Sequence, residues 1–166
     1  MAGIEVEVRC TGCDYSDEHE TPTADYVLEN DVLHSLDWRF AWCVAERRLV
    51  SAEKLPDLEE LAARVAELEA PGEDEIDLDT GLPIARARLL EIARVTLAWR
   101  RKRTIPERCL RCGETSLLPM DSWQYKDVAH PGCAAEGTLS TDGGMFLSEG
   151  PDEANPQFTP EGERLP

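Results

Sequence analysis

Cysteine and histidine spacing constrains this chain more than its hydrophobic pattern does. Cys109 and Cys112 form a Cys-x-x-Cys pair, and His130 and Cys133 repeat the gap after seventeen intervening residues. Two ligands at that gap sit on one tight turn and aim at one point, and a second such turn completes a tetrahedron around a metal ion. The expectation is a zinc site made of Cys109, Cys112, His130 and Cys133. Three thiolates and an imidazole fill all four positions, so such an ion is structural, with no place left for a reactive water.

A second set begins with Cys10 and Cys13, and Cys43 stands where another ligand turn would start. The residue at the ligand position three further on is Glu46. A carboxylate ligates zinc, though less often in structural sites. His19 and His34 are the other candidates for a fourth ligand. Open alternatives are a site with Glu46, a site with one of these histidines, and a turn pair that holds no metal. The expectation is one structural zinc ion in the C-terminal set and a second, undecided one here.

The six cysteines fit metal ligation better than disulfides, because the N-terminus MAGIEVEVR lacks the basic start and apolar run of an export signal. A cytoplasmic protein is expected. No run of eighteen apolar residues occurs, so no membrane contact is expected. Aromatic residues make up only 6% of the 166 residues, which favours several small cores over one broad one.

The net charge is −17, a balance that opposes nonspecific binding to nucleic acid or anionic lipid and favours a basic partner. Residues 84–111 run against it, with nine Arg/Lys and two acidic residues, while the rest holds eight and thirty-two. Within that stretch Arg100, Arg101, Lys102 and Arg103 offer a phosphate contact. The competing account is that they complement a helix C-terminus and pair with the acidic loop 73–79.

Along the chain, Ile4, Val6 and Val8 alternate with Glu5, Glu7 and Arg9 as a strand leading into Cys10. Residues 14–23 read as loop. Asn30-Asp31 reads as a hairpin turn, and Trp38, Phe40 and Trp42 alternate as a strand up to Cys43. Leu58, Leu61, Ala62, Val65 and Leu68 share one face of a helix that Pro71-Gly72 stops. A second helix is expected from near Pro83 to Lys102–Thr104. Asp142-Gly143-Gly144 reads as the turn of a hairpin joining Thr138–Ser140 to Met145–Leu147. Beyond Ser148 the chain is Pro-, Gly- and acid-rich and is expected to be mobile or laid along the surface.

The expected fold is α+β, with two small zinc-ribbon-like antiparallel modules bridged by an αα hairpin. The divisions are 1–50, 51–106, 107–147 and an acidic tail 148–166. The segments VRCTGCDYS, FAWCVAERRLVSAEKLP, ERCLRCG and AHPGC resemble a group of small bacterial double zinc-ribbon proteins of unassigned function. In that group the order is CxxC, WCxxC, a helical middle, CLxCG and HPGC, and the resemblance covers about residues 5–147. Glu46 departs from it at the second Cys of WCxxC. The resemblance implies a fold and carries no activity.

No catalytic residues are assigned. His19 and His34 have no evident nucleophile partner, and no phosphate loop or dinucleotide fingerprint occurs. Trp38, Trp42 and Trp99 read as core, and Trp123 as an exposed contact. The leading expectation is a non-enzymatic, zinc-stabilised acidic protein that covers a basic partner protein, as an inhibitor or immunity protein does. The alternative is an accessory factor that touches nucleic acid through Arg100–Arg103. A metalloenzyme using an open N-terminal site stands third.

Overall fold

A computed structural model of the chain describes residues 2–20, 22–76, 81–120, 128–141, 146–149 and 156–166. The N-terminal alternation forms β1 (Ala2–Cys10), followed by β2 (Ser16–Glu20), β3 (Asp25–Val27), β4 (Leu33–Ser35), β5 (Trp38–Cys43) and β6 (Arg48–Glu53). The helix α1 (Leu58–Glu69) comes next, then the short β7 (Glu75–Ile76) and β8 (Pro83–Ile84), and the second helix α2 (Arg86–Lys102). The chain ends with β9 (Leu117–Pro119), β10 (Val128–Ala129), β11 (Thr138–Thr141), β12 (Phe146–Glu149) and β13 (Gln157–Phe158). The fold is therefore mixed α and β, with two α-helices and several small sheets, mainly antiparallel, among the described residues.

The sheets join distant parts of the chain. Along one edge, β1 pairs with β12 over residues 2–5 and with β11 over residues 8–10, while its other edge takes β2. In a second sheet β5 lies between β6 and β9. Strands from the first fifty residues thus share both sheets with strands beyond residue 107.

Three local expectations change. The polar run 16–20 is a strand, because its backbone pairs with β1 while Ser16 and Glu18 face solvent. The expected 138–147 hairpin does not form, since β11 and β12 both pair with β1 and not with each other. Its turn residues 142–144 lie outside the described residues. The tail is not merely surface-laid: β13 runs parallel to β3, and Phe158 is buried in a core with Tyr26, Val32, Leu36 and Trp99.

Helix α1 starts where Asp57 accepts hydrogen bonds from the backbone N–H groups of Glu59 and Glu60, at 2.7 and 3.0 Å. Arg86, at the start of α2, donates to the last carbonyls of α1, Glu67 and Ala70. At the other end, Arg100 donates to the carbonyl of Pro56, just ahead of α1. The Asn30-Asp31 turn forms as expected, with both residues at positive φ (61° and 54°) between the paired β3 and β4.

A buried ion pair ties these pieces together. Glu53 Oε2 accepts from Arg103 Nη2 at 2.5 Å and from the backbone N–H of Arg108 at 2.9 Å, while Oε1 accepts from the Tyr26 hydroxyl at 2.7 Å. The two charged side chains are 0% and 1% exposed. Burial raises the Tyr26 phenol far above its usual range, and the Glu53 charge adds to this. Arg103 Nη1 and Trp99 Nε1 both donate to the Pro160 carbonyl, at 3.0 and 2.7 Å. Gly162 covers the pair at φ 79°, where a Cβ would lie 2.9 Å from Arg103 Nη2.

Removing one partner strands the other charge in the interior. Arg103→Met is expected to cost about 3–5 kcal/mol, read from the urea midpoint. It should also release the C-terminal residues to limited proteolysis before the rest of the chain.

Candidate metal centres

Four tight turns carry the eight candidate ligands, and they pair differently from the expectation. One cluster is Cys10, Cys13, His130 and Cys133; the other is Cys43, Glu46, Cys109 and Cys112. In each, the ligand atoms all lie within 4.8 Å of one another. The expected set of Cys109 and Cys112 with His130 and Cys133 is not brought together, nor is Cys10 and Cys13 with Cys43 and Glu46.

Strand register is the physical reason. β1 delivers Cys10 to the end of β11, where Cys10 sits opposite Leu139 and the Thr11 N–H donates to the Thr138 carbonyl at 2.9 Å. The His130–Cys133 turn lies between β10 and β11, so it faces the Cys10–Cys13 turn. In the other sheet, Cys43 sits opposite Leu117, and the Val44 N–H donates to the Ser116 carbonyl at 3.0 Å. Ala52 on β6 forms a bridge with Cys109. Those contacts place the Cys109–Cys112 turn beside Cys43.

The edges match a tetrahedral site. Cys10 Sγ is 3.8 Å from Cys133 Sγ, Cys13 Sγ is 3.5 Å from His130 Nδ1, and Cys43 Sγ is 3.7 Å from Cys112 Sγ. Bonds of about 2.3 Å to sulfur and 2.0–2.1 Å to nitrogen give tetrahedral edges of roughly 3.5–3.8 Å. All six cysteines are free thiols.

In the first cluster the Gly12 and Gly137 N–H groups donate to Cys10 Sγ and Cys133 Sγ, each at 3.4 Å. The Gly137 contact draws the Cys133 thiol below its usual pKa, favouring the thiolate. The two turns meet backbone to backbone here: a Cβ on Gly137 would lie 2.6 Å from Cys10 Sγ and 2.7 Å from Gly12 Cα. The His130 ring packs between Trp42 and Tyr15, with centroids 4.7 and 4.8 Å away. Its burial lowers its pKa, which leaves the neutral, ligating imidazole at neutral pH.

The second cluster lies deeper. Cys43 and Cys109 are buried while Cys112 is exposed. Burial pushes the Cys109 thiol up to about 12 and the Cys43 thiol upward as well. A metal must therefore displace protons to bind. Glu46 Oε2 is buried and makes no hydrogen bond.

The remaining candidates fall elsewhere. His19 is buried, with Nε2 2.9 Å from Ser51 Oγ and its ring edge-on to Phe40. His34 stacks near Tyr26 and Trp99. Neither belongs to a metal-type cluster among the described residues. Arg103 is withdrawn from any phosphate contact by its buried pairing with Glu53. Lys102 pairs with Glu29 at 2.9 Å, while Arg101 has no hydrogen-bond or ion-pair partner among the described residues. Trp42 and Trp99 are core; Trp123 lies outside the described residues. No described helix is long and apolar enough to cross a membrane.

The joining of distant half-sites was missed because spacing defines each half and not its mate. Comparison of the chain with models of known protein families, with curated proteins and with solved structures finds no match.

Two outcomes are expected. Gly137→Ala should push the two turns of the first cluster apart, lowering its metal affinity at least tenfold and destabilising the fold by about 1–3 kcal/mol. Metal stoichiometry and urea denaturation check this. His19 is held neutral by burial, its pKa lowered from 6.5 to about 4, with Asp17 opposing the shift. The unfolded chain takes up that proton first, so the stability His19 contributes is intact above about pH 6.5 and falls as pH drops towards 4. The loss reaches about 3 kcal/mol at most. Wild type should therefore lose more stability than His19→Gln between pH 7 and pH 5, and equal slopes would contradict this.

Proposed function

We propose that this is a non-enzymatic interaction protein whose fold is held by two zinc ions and whose acidic surface engages a basic protein partner. The observation that carries the reading is the pair of four-donor clusters built from both ends of the chain. Three thiolates with an imidazole, and three thiolates with a carboxylate, are donor sets that suit zinc. Cys10, Cys13, His130 and Cys133 would hold one ion, and Cys43, Glu46, Cys109 and Cys112 the other. An ion in each cross-links segments 1–50 and 107–147 and makes a rigid support.

On that support the charge is presented outward. Glu59, Glu60, Glu67, Glu69, Glu73 and Asp74 are exposed along α1 and the turn after it. Some are tied locally, as Glu69 is to Arg94 at 2.7 Å and Glu67 to Arg64 at 2.8 Å. With a net charge of −17, a basic protein is attracted over roughly a Debye length and a polyanion is repelled. Covering a partner's nucleic-acid-binding or toxic site, as an inhibitor or immunity protein, would use charge in this way. The nucleic-acid alternative loses support, because Arg103 is buried and Arg100 Nε is spent on the Pro56 carbonyl.

The test has two parts. Purified chain should carry two zinc ions by elemental analysis and lose its fold with chelator. Captured from nuclease-treated lysate, it should bring down a basic protein. Changing Glu59, Glu60 and Glu73 together to Lys should weaken that complex at least tenfold and flatten its salt dependence. Binding at wild-type strength would remove the acidic-surface reading.

A further inference from the structure

The two turns of the second cluster are built alike in backbone and differ in one donor. The Cys109–Cys112 turn closes with the Gly113 N–H donating to the Cys109 carbonyl at 2.9 Å, with Gly113 at φ 78°. The Cys43–Glu46 turn closes the same way, with Arg47 N–H to the Cys43 carbonyl at 2.8 Å and Arg47 at φ 54°. A non-glycine residue holds a left-handed conformation there at some cost, so the turn is set by its surroundings. Glu46 consequently occupies the position that Cys112 occupies in its own turn.

Its side chain is placed as a ligand and is poorly held by protein. Oε2 is buried without a hydrogen bond, an arrangement that costs free energy unless something else meets it. Oε1 has Arg111 Nε at 3.5 Å, a distance that is loose for a charged pair. Arg111 lies within the facing turn, between Cys109 and Cys112. It gives the carboxylate a second partner one short swing from the metal position. Cys112, exposed beside it, opens the same side of the cluster to solvent, while Cys43 and Cys109 close the other.

We propose that the Cys43–Glu46–Cys109–Cys112 cluster is an exchangeable metal centre. Glu46 is its displaceable ligand, leaving zinc for Arg111 when an incoming thiolate or nitrogen chelator takes its place. The Cys10–Cys13–His130–Cys133 cluster keeps its ion. A carboxylate oxygen is a harder donor than thiolate or imidazole and holds a borderline-soft ion less firmly in a sulfur-rich site. Exchange then proceeds by ligand substitution: one zinc–oxygen bond breaks as one zinc–sulfur or zinc–nitrogen bond forms, with no change of oxidation state. This inference rests on the zinc reading above, and its consequence is a chain that can pass one ion to a thiol-rich acceptor while the other ion preserves half the fold.

The test is a release experiment on the full chain carrying two zinc ions, chased with 4-(2-pyridylazo)resorcinol at neutral pH. Release is expected in two phases of one ion each, with rates at least tenfold apart. Glu46→Cys should abolish the fast phase. In the cobalt-substituted protein, the same variant should raise the sulfur-to-metal charge-transfer band of that centre by about a third, as three thiolates become four. Glu46→Ala, which needs no new ligand to fit, should speed the fast phase at least tenfold or reduce the chain to one ion. Release of both ions at one rate, or a fast phase unchanged by both variants, would overturn the proposal. A wild-type chain that holds only one ion overturns it too. A chain that binds no zinc fails the metal reading itself, a result distinct from two ions leaving together.

Discussion

Each ligand cluster takes one half from either end of the chain, and the rest of the molecule is arranged around that fact. Cys10 and Cys133 are 123 residues apart in sequence, and Cys43 and Cys112 are 69 apart. The antiparallel edges of β1 with β11 and of β5 with β9 bring these halves face to face. Between them stands Trp42, next in sequence to Cys43 of one cluster and packed on the His130 ring of the other. It belongs to a buried group with Val8, Phe40, Leu49, Met120 and Leu139. The hydrophobic contacts thus run through the same strands that set the ligand geometry.

Closing a long loop is less costly than it looks. Relative to joining Cys109 with Cys133, joining Cys10 with Cys133 adds about 1.5 kcal/mol of loop-closure entropy, because that cost rises only with the logarithm of length. Several strand hydrogen bonds and one buried aromatic contact offset such a sum. Proximity in sequence therefore had little power to decide which turns pair, and the register of β1 and β5 decided it. The helices fill the span between the two ends and are fixed by a different device, the Glu53–Arg103 pair, whose other contacts reach Tyr26, Arg108 and Pro160.

What could be read from the sequence follows from which signals are local. The ligand turns, the strand into Cys10, the Asn30-Asp31 turn and helix α1 are each specified within a few residues, by spacing, alternation or capping. Eight of the ten ligand candidates lie in the two clusters, while His19 and His34 do not. Their division into sites, the pairing of the polar β2, and the burial of Phe158 from an acid-rich tail depend on partners far away in sequence, 69 and 123 residues for the two clusters, or on backbone bonding alone. Arg103 shows the same limit: within RRKR it reads as one solvated cation among four, and only the buried Glu53 distinguishes it.

The clusters and the acidic surface also bear on each other. With two divalent ions bound, six thiolates against four positive charges would leave the chain two charges more negative than the formal −17. The excess is one negative charge at each centre, and the Glu46 carboxylate, already counted in the −17, brings the second centre to two against one at the first. Arg111, beside Glu46, is placed to compensate the second centre. That charge does not bar the centre from forming, but it weakens its hold on each anionic donor, and the donor with the least affinity for zinc is Glu46. The repulsion among these negative charges therefore acts, at short range, on the one ligand that would be least able to resist it.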